Sequence, residues 1–173
     1  MASRKITLVL GGARSGKSRF AQTLAEEQAG ELIYIATAQA FDAEMTERIA
    51  RHRSDRGPRW QTAECPLGLA DAITAHQGAG KTILVDCLTL WLSNLMLGKH
   101  DIAAALSPLA ESLKNSSATV IMVSNEVGQG IVPGNELARR FRDEAGWLNQ
   151  KLASIVDDVW FVTAGLPQKL KGQ

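Results

Sequence analysis

Gly11-Gly12-Ala13-Arg14-Ser15-Gly16-Lys17-Ser18 carries residue types at a spacing that binds phosphate. The stretch matches G-x-x-x-x-G-K-[ST]. Its context supports the match, with the apolar run Ile6–Leu10 leading in and the helix-compatible run Arg19–Glu26 leading out. Glycines let the backbone curl so that successive N–H groups face one phosphate with no Cβ in the way. The helix N-terminus adds partial positive charge. Lys17 is expected to reach the β- and γ-phosphates, and the Ser18 hydroxyl to help hold Mg²⁺. A second reactive residue is Asp86, which ends the apolar run Thr82-Ile83-Leu84-Val85. An acid there can hold Mg²⁺ directly or through water; the plainer reading is a cap for the next helix. The third is His52, in Arg48-Ile49-Ala50-Arg51-His52-Arg53. Neighbouring cations disfavour the imidazolium. A neutral imidazole can attack phosphorus and form a covalent intermediate, and arginines beside it could neutralise a triphosphate. Spacing alone favours a solvated surface histidine.

Such residues work only if strand ends bring them to one edge. Strands are expected at 5–10, Leu32–Ala36, Thr82–Asp86, Thr119–Val123 and Asp158–Thr163, with a short extended segment at Trp60–Glu64. Helices are expected from the phosphate loop to about Gln28, with Gly30 as its stop, and from Ala43 to about Arg53, with Asp42 as N-cap. In the second, Glu44–Arg48 and Glu47–Arg51 are i,i+4 pairs. Ser54–Arg59 then breaks the pattern. Further helices fit Leu67–His76, the stripe Leu88, Trp91, Leu92, Leu95, and Asp101–Lys114, where Pro108 either kinks the helix or starts a new one capped by Ser107. The last runs from about Glu136 to Ile155, with Leu137, Phe141, Ala145, Leu148, Leu152 and Ile155 facing inward. Gly146 inside it is expected to cost about 1 kcal/mol against alanine and to permit a close helix–sheet contact. The tail, Gly165 to Gln173, is short and basic. Alternating strands and helices predict an α/β fold with a mainly parallel sheet. Its functional edge gathers Gly11–Ser18, Ala36–Ala38, Asp86 and Ser124–Pro133.

The chain has 173 residues, 45% hydrophobic and 21% charged, which suits a single globular domain spanning 1–173. A formal net charge of +1 gives no electrostatic footprint for nucleic acid. No apolar run reaches membrane-spanning length. The short apolar stretch after Lys5 ends in the glycine loop, not in a cleavage site, so no signal peptide is expected and a cytoplasmic location is the default. The two cysteines, Cys65 and Cys87, have no metal or disulfide spacing and are expected to be structural. A phosphate loop specifies a nucleotide and not a reaction. Three readings stand on the residues: a small-molecule kinase or nucleotidyltransferase, an ATPase of the recombinase type, and a non-catalytic nucleotide switch. Neutral charge and the lack of basic, aromatic-interleaved stretches weigh against the second.

Longer stretches carry a family resemblance. GGARSGKSRFA, YIATAQAFDAEMTERIARHR, W-x-T-x-E at Trp60–Glu64 and SNEVGQGIVPGNELARRFRDEAGWLNQKLA resemble the bifunctional adenosylcobinamide kinase/adenosylcobinamide-phosphate guanylyltransferases. The resemblance implies a RecA-like P-loop NTPase fold, a three-layer sandwich, assembled as a homotrimer. It implies phosphorylation of adenosylcobinamide by ATP or GTP, then transfer of GMP from GTP to adenosylcobinamide phosphate through a guanylyl-histidine. The family's histidine maps onto His52. The family pattern places the nucleotide against Gly11, Gly12, Ala13, Arg14, Ser15, Gly16, Lys17, Ser18, Ala36, Thr37, Ala38, Arg53, Ser54, Asp55, Arg56, Glu64 and Asp86. Some relatives carry two adjacent histidines; here the neighbour is Arg51, so no helper imidazole is implied. The implied partners are a corrinoid substrate and Mg²⁺.

Overall fold

The computed structural model describes residues 4–39, 43, 46–47, 50 and 56–173. Its centre is a seven-stranded sheet. The strands are β1 (Ile6–Gly11), β2 (Glu31–Ala36), β3 (Trp60–Glu64), β4 (Lys81–Asp86), β5 (Thr119–Asn125), β6 (Asp158–Thr163) and β7 (Leu166–Lys171). They lie in the order β3-β2-β4-β5-β1-β6-β7. All neighbours pair in parallel except β6 and β7. Helices α1 (Lys17–Glu26), α2 (Leu69–His76), α3 (Leu88–Leu97), α4 (Ile102–Asn115) and α5 (Glu136–Ile155) make the outer layers.

Every residue of β1 is buried, as are Thr82, Ile83, Leu84 and Val85 of β4. Such unbroken apolar runs belong to parallel strands covered on both faces. Period-two alternation divides them. Ile6, Leu8, Leu10, Ile83, Val85, Val120 and Met122 pack with Leu69, Trp91, Leu109, Leu148 and Leu152 from α2, α3, α4 and α5. Val9, Tyr34, Leu84, Ile121 and Val123 face the other way, onto Ala21 and Ala25 of α1. The result is the expected three-layer P-loop sandwich. No helix among the described residues is long and apolar enough to cross a membrane.

Several local expectations change. The basic tail is a strand. Ala164 and Gly165, both at positive φ, turn the chain so that β7 returns antiparallel on β6. That is a two-residue hairpin turn with the twist strands prefer, but Ala-Gly lacks the usual Asn-Gly signature. Helix α4 passes through Pro108 without a new start. Asp101 caps it by accepting from the Ala104 amide, and Ser107 Oγ donates to the Ala103 carbonyl instead of capping. Ala104 is exposed, so water can take the carbonyl that Pro108 leaves without a donor. Helix α2 starts at Leu69, because the Leu67 carbonyl accepts the buried Trp91 indole N–H at 2.7 Å. Leu137 does not face inward; it is 56% exposed, on the first turn of α5. Gly146 makes no close helix–sheet contact, since a Cβ there would meet nothing within 4 Å. Ala43, Thr46, Glu47 and Ala50 are helical and exposed, as expected. The Asp42 cap and the Glu44–Arg48 and Glu47–Arg51 pairs lie outside the described residues.

Candidate functional site

The loop between β1 and α1 is held by its own backbone. The Ser15 amide donates to the Gly12 carbonyl at 3.3 Å, and Lys17 Nζ reaches the same carbonyl at 3.1 Å. Lys17 is only 9% exposed, so its ammonium is fixed across the loop mouth. Gly16 starts the helix at φ 93, a left-handed conformation that side chains resist. A Cβ on Gly11 would lie 2.5 Å from Ser15 Oγ, so that glycine keeps the loop closed onto the strand end. The hairpin turn closes the loop from outside, with the Gly165 amide donating to the Ser15 carbonyl at 2.7 Å.

The first turn of α1 has no side-chain cap and no acid. By contrast α3, α4 and α5 are capped by Cys87 Sγ, Asp101 and Asn135. Amide groups left open on a helix with a positive N-terminal end suit an anion. Two buried side-chain atoms without partners, Ser15 Oγ and Asn125 Oδ1, flank the end of β1, where Gly11 is in register with Asn125. Around Asn125, Thr89 Oγ1 accepts its amide at 2.7 Å, while Asn149 joins Ser124 Oγ at 2.7 Å and the Asn125 carbonyl at 3.3 Å.

Asp86 ends β4, with β5 between it and β1. It does not cap α3; Cys87 does, its sulfur accepting from the Leu90 amide at 3.4 Å. The Asp86–Cys87 peptide is cis. Asp86 Oδ2 accepts the Tyr34 hydroxyl at 3.0 Å. The Arg56 guanidinium carbon lies 3.6 Å above the Tyr34 ring centroid, and Arg56 Nε is buried without a hydrogen-bond partner. Burial, then the Asp86 charge, pushes the Tyr34 hydroxyl well above the usual phenol range. Tyr34 therefore stays a donor to the carboxylate. Burial also raises the thiols of Cys65 and Cys87, which matches the structural role expected of both.

Glu64, Ala36 and Asp86 sit in one row across β3, β2 and β4. Glu64 is exposed at the end of the edge strand. Four strand spacings separate β3 from β1, about 19 Å, so the row runs from beside the phosphate loop to the edge of the sheet. Thr37 is fully buried and has another task. Its hydroxyl donates to the Cys87 carbonyl at 2.6 Å and accepts the Cys87 amide at 2.9 Å, locking the turn after Asp86. His52, Arg53, Ser54 and Asp55 lie outside the described residues. The residues suit Mg²⁺, which takes one or two carboxylates and leaves its other positions to water and phosphate. Ser18 offers a hydroxyl at the open helix end, and Asp86 a carboxylate oriented by Tyr34.

The family model described as CobU, cobinamide kinase / cobinamide phosphate guanyltransferase, matches residues 7–170. The chain belongs to this family. It is a kinase and guanyltransferase acting on cobinamide and cobinamide phosphate, with nucleotide substrates. It is 51% identical over 168 residues to the bifunctional adenosylcobalamin biosynthesis protein CobP of Pseudomonas aeruginosa, covering 96% of this chain and 97% of that one. It is 42% identical to CobU of Salmonella typhimurium over 95% of this chain and 98% of that one, and 40% identical to CobU of Escherichia coli over the same shares. A solved protein from Pyrococcus horikoshii OT3, 8% identical, superposes with a TM-score of 0.60 over 97% of this chain and 86% of that one. At that identity the likeness speaks for the α/β fold alone.

Sequence reasoning placed Ser124 and Asn125 at the functional edge but missed Tyr34, Gly165 and the partners Thr89 and Asn149. Tyr34 reads as one more apolar residue of a strand. Its polar end acquires meaning only through the pairing of β2 with β4. Gly165 had no signal beyond a weak turn dipeptide.

Proposed function

We propose that the chain phosphorylates adenosylcobinamide and then guanylylates the product through a covalent histidine intermediate. The observation that carries this reading is the uncapped start of α1 behind a backbone-built loop, with buried Lys17 at its mouth, in a chain of this family. In the first reaction the terminal hydroxyl of the aminopropanol arm attacks the γ-phosphorus of ATP or GTP; the bond from that phosphorus to the β-phosphate oxygen breaks, the nucleoside diphosphate leaves and the hydroxyl proton passes to solvent. The loop amides and Lys17 stabilise charge on the transferring group, and the fixed loop aligns donor and acceptor. Mg²⁺, held by Ser18 and Asp86, would neutralise phosphate charge when bound.

In the second reaction His52 attacks the α-phosphorus of GTP. A P–N bond forms and the P–O bond to pyrophosphate breaks. A phosphate oxygen of adenosylcobinamide phosphate then attacks the same phosphorus. The P–N bond breaks, the imidazole is restored, and adenosylcobinamide-GDP leaves. Arg53 and Arg56 would neutralise the triphosphate, with Ser54, Asp55 and the Ala36–Ala38 segment beside it. Glu64 would accept the guanine N–H donors; its exposure on the row beside Asp86 supports that role. The reading takes residues 1–173 as one catalytic domain, working as a cytoplasmic homotrimer, on the strength of the family resemblance.

The test uses GTP labelled at the α-phosphate with Mg²⁺ and no corrinoid. Acid-labile, alkali-stable label on the wild type, absent from His52→Asn, is the expected result. A folded, GTP-binding wild type that takes no label would overturn the histidine mechanism.

A further inference from the structure

Tyr34 lies between two residues of the candidate site, Asp86 and Arg56, and touches both. Its hydroxyl donates to Asp86 Oδ2 at 3.0 Å, and the face of its ring lies 3.6 Å under the Arg56 guanidinium. The residue is 9% exposed, and Trp60 packs edge-on against it at 6.2 Å between centroids. The indole of Trp60 donates to Glu26 Oε1 at 3.2 Å, and the Arg59 guanidinium donates to the carbonyls of Glu26, Gln28 and Gly30 at 3.2, 2.6 and 3.2 Å. The ring is therefore fixed on an edge-strand platform tied to the end of α1.

We infer that Tyr34 is a positioning residue that sets the Asp86 carboxylate for the metal with its hydroxyl and presents the Arg56 guanidinium to the nucleotide with its ring. The inference rests on the proposed reading that Asp86 serves Mg²⁺ and Arg56 the nucleotide. A hydrogen bond to a metal-binding carboxylate fixes its rotamer, and losing such a partner weakens metal binding by roughly 10–100-fold. A cation over a buried ring is held by the ring's quadrupole and by the exclusion of water on that side. Hydroxyl and ring face are separate contacts, so different substitutions remove them separately.

The experiment reads binding, apart from turnover. Mn²⁺ affinity is measured by electron paramagnetic resonance on the full chain with a non-hydrolysable GTP analogue. Affinity for the same analogue is measured again in EDTA. Tyr34→Phe keeps the ring and is expected to weaken Mn²⁺ roughly tenfold, while metal-free nucleotide affinity stays within about twofold of wild type, inside the non-additive scatter of such measurements. Combined with Asp86→Asn it adds nothing further, because the two residues then act as one unit. Tyr34→Leu removes both contacts and is expected to weaken Mn²⁺ and metal-free nucleotide together, the latter as much as Arg56→Ala does. Wild-type Mn²⁺ affinity in Tyr34→Phe overturns the inference. So does an equal loss of metal-free nucleotide binding in Tyr34→Phe and Tyr34→Leu, the mark of a merely structural tyrosine. Should Tyr34→Leu not fold, the near-isosteric Tyr34→Phe and its cycle with Asp86→Asn still decide. Failure of the parent reading registers elsewhere, as a wild type that neither phosphorylates cobinamide nor takes the guanylyl label.

Discussion

The two sides of the sheet edge are built by different means. At the end of β1 the loop is held by main-chain bonds, glycine geometry and an open helix end. At the ends of β2 and β4 the arrangement is held by side chains: Tyr34 on Asp86, Arg56 on Tyr34, Trp60 and Arg59 on the end of α1. A backbone-built site is local, because its atoms come from consecutive residues. A side-chain-built site exists only after strands distant in sequence have paired. The first kind keeps its shape when side chains around it change, whatever their removal does to the chemistry, and loses that shape when a backbone position is altered. The second kind fails by single contacts, each with its own symptom.

The largest expected effect is on the loop side. Lys17→Ala is expected to slow phosphorylation by about 10²–10³-fold, the cost of removing one preorganised charge-stabilising donor. Single-turnover phosphorylation of cobinamide checks it. A loss under tenfold would mean that the loop backbone carries the charge stabilisation alone. Gly16→Ala forces a side chain into a left-handed conformation against Gly165, whose Cα would lie 3.1 Å from the new Cβ. It is expected to cost about 1–2 kcal/mol in urea denaturation.

On the side-chain side, Glu64→Gln leaves stability unchanged, because the residue is exposed. It is expected to relax the preference for GTP over ATP in nucleotidyl transfer by roughly 10-fold, the value of about one charged hydrogen bond. Undiminished rejection of ATP would remove Glu64 from guanine recognition. Tyr34 is the only tyrosine, so ultraviolet titration of the metal-free protein reports it alone. Its folded-state pKa is raised above the ordinary value of 10.0. The linked stability is complete below about pH 10. It declines as the pH climbs higher, where the unfolded chain sheds the proton first. Phenolate absorbance should therefore appear together with unfolding. Ionisation of the folded protein near pH 10 would show that the hydroxyl is not sealed against Asp86. The smallest effect is a control remote from both sides. Gly146→Ala meets open space and is expected to stabilise the protein by about 0.5–1 kcal/mol.

The same contrast explains what could be read in advance. The positions of six strands, the α/β layering and the helix faces of α3 and most of α5 follow from periodicity. Gly11–Ser18 follows from spacing alone. Asp86 was visible as an acid ending an apolar run, but its partner was not, since Tyr34 lies in another strand. Thr37 sat where a ligand contact belongs, yet its hydroxyl bonds Cys87; the polar demands of a turn on a neighbouring strand leave no mark in sequence. The strand β7 was hidden because its residues are mostly exposed and its turn uses Ala-Gly. Leu137 followed the helical period of α5 and is still exposed, because periodicity assigns a face without saying where the covering layer stops.

The amide of Gly165 on the Ser15 carbonyl has a consequence for how the protein comes into being. Synthesis delivers the glycine loop well before its brace, since Ser15 precedes Gly165 by most of the sheet. While the nascent chain is being extended, the loop has its motif but not the hydrogen bond that closes it from outside. Affinity for nucleotide should therefore mature late, after the β6–β7 hairpin has emerged and docked. A ribosome-bound chain halted before Asp158 would display the loop without its brace, so that nucleotide retention on stalled chains reports the moment at which the sheet is finished.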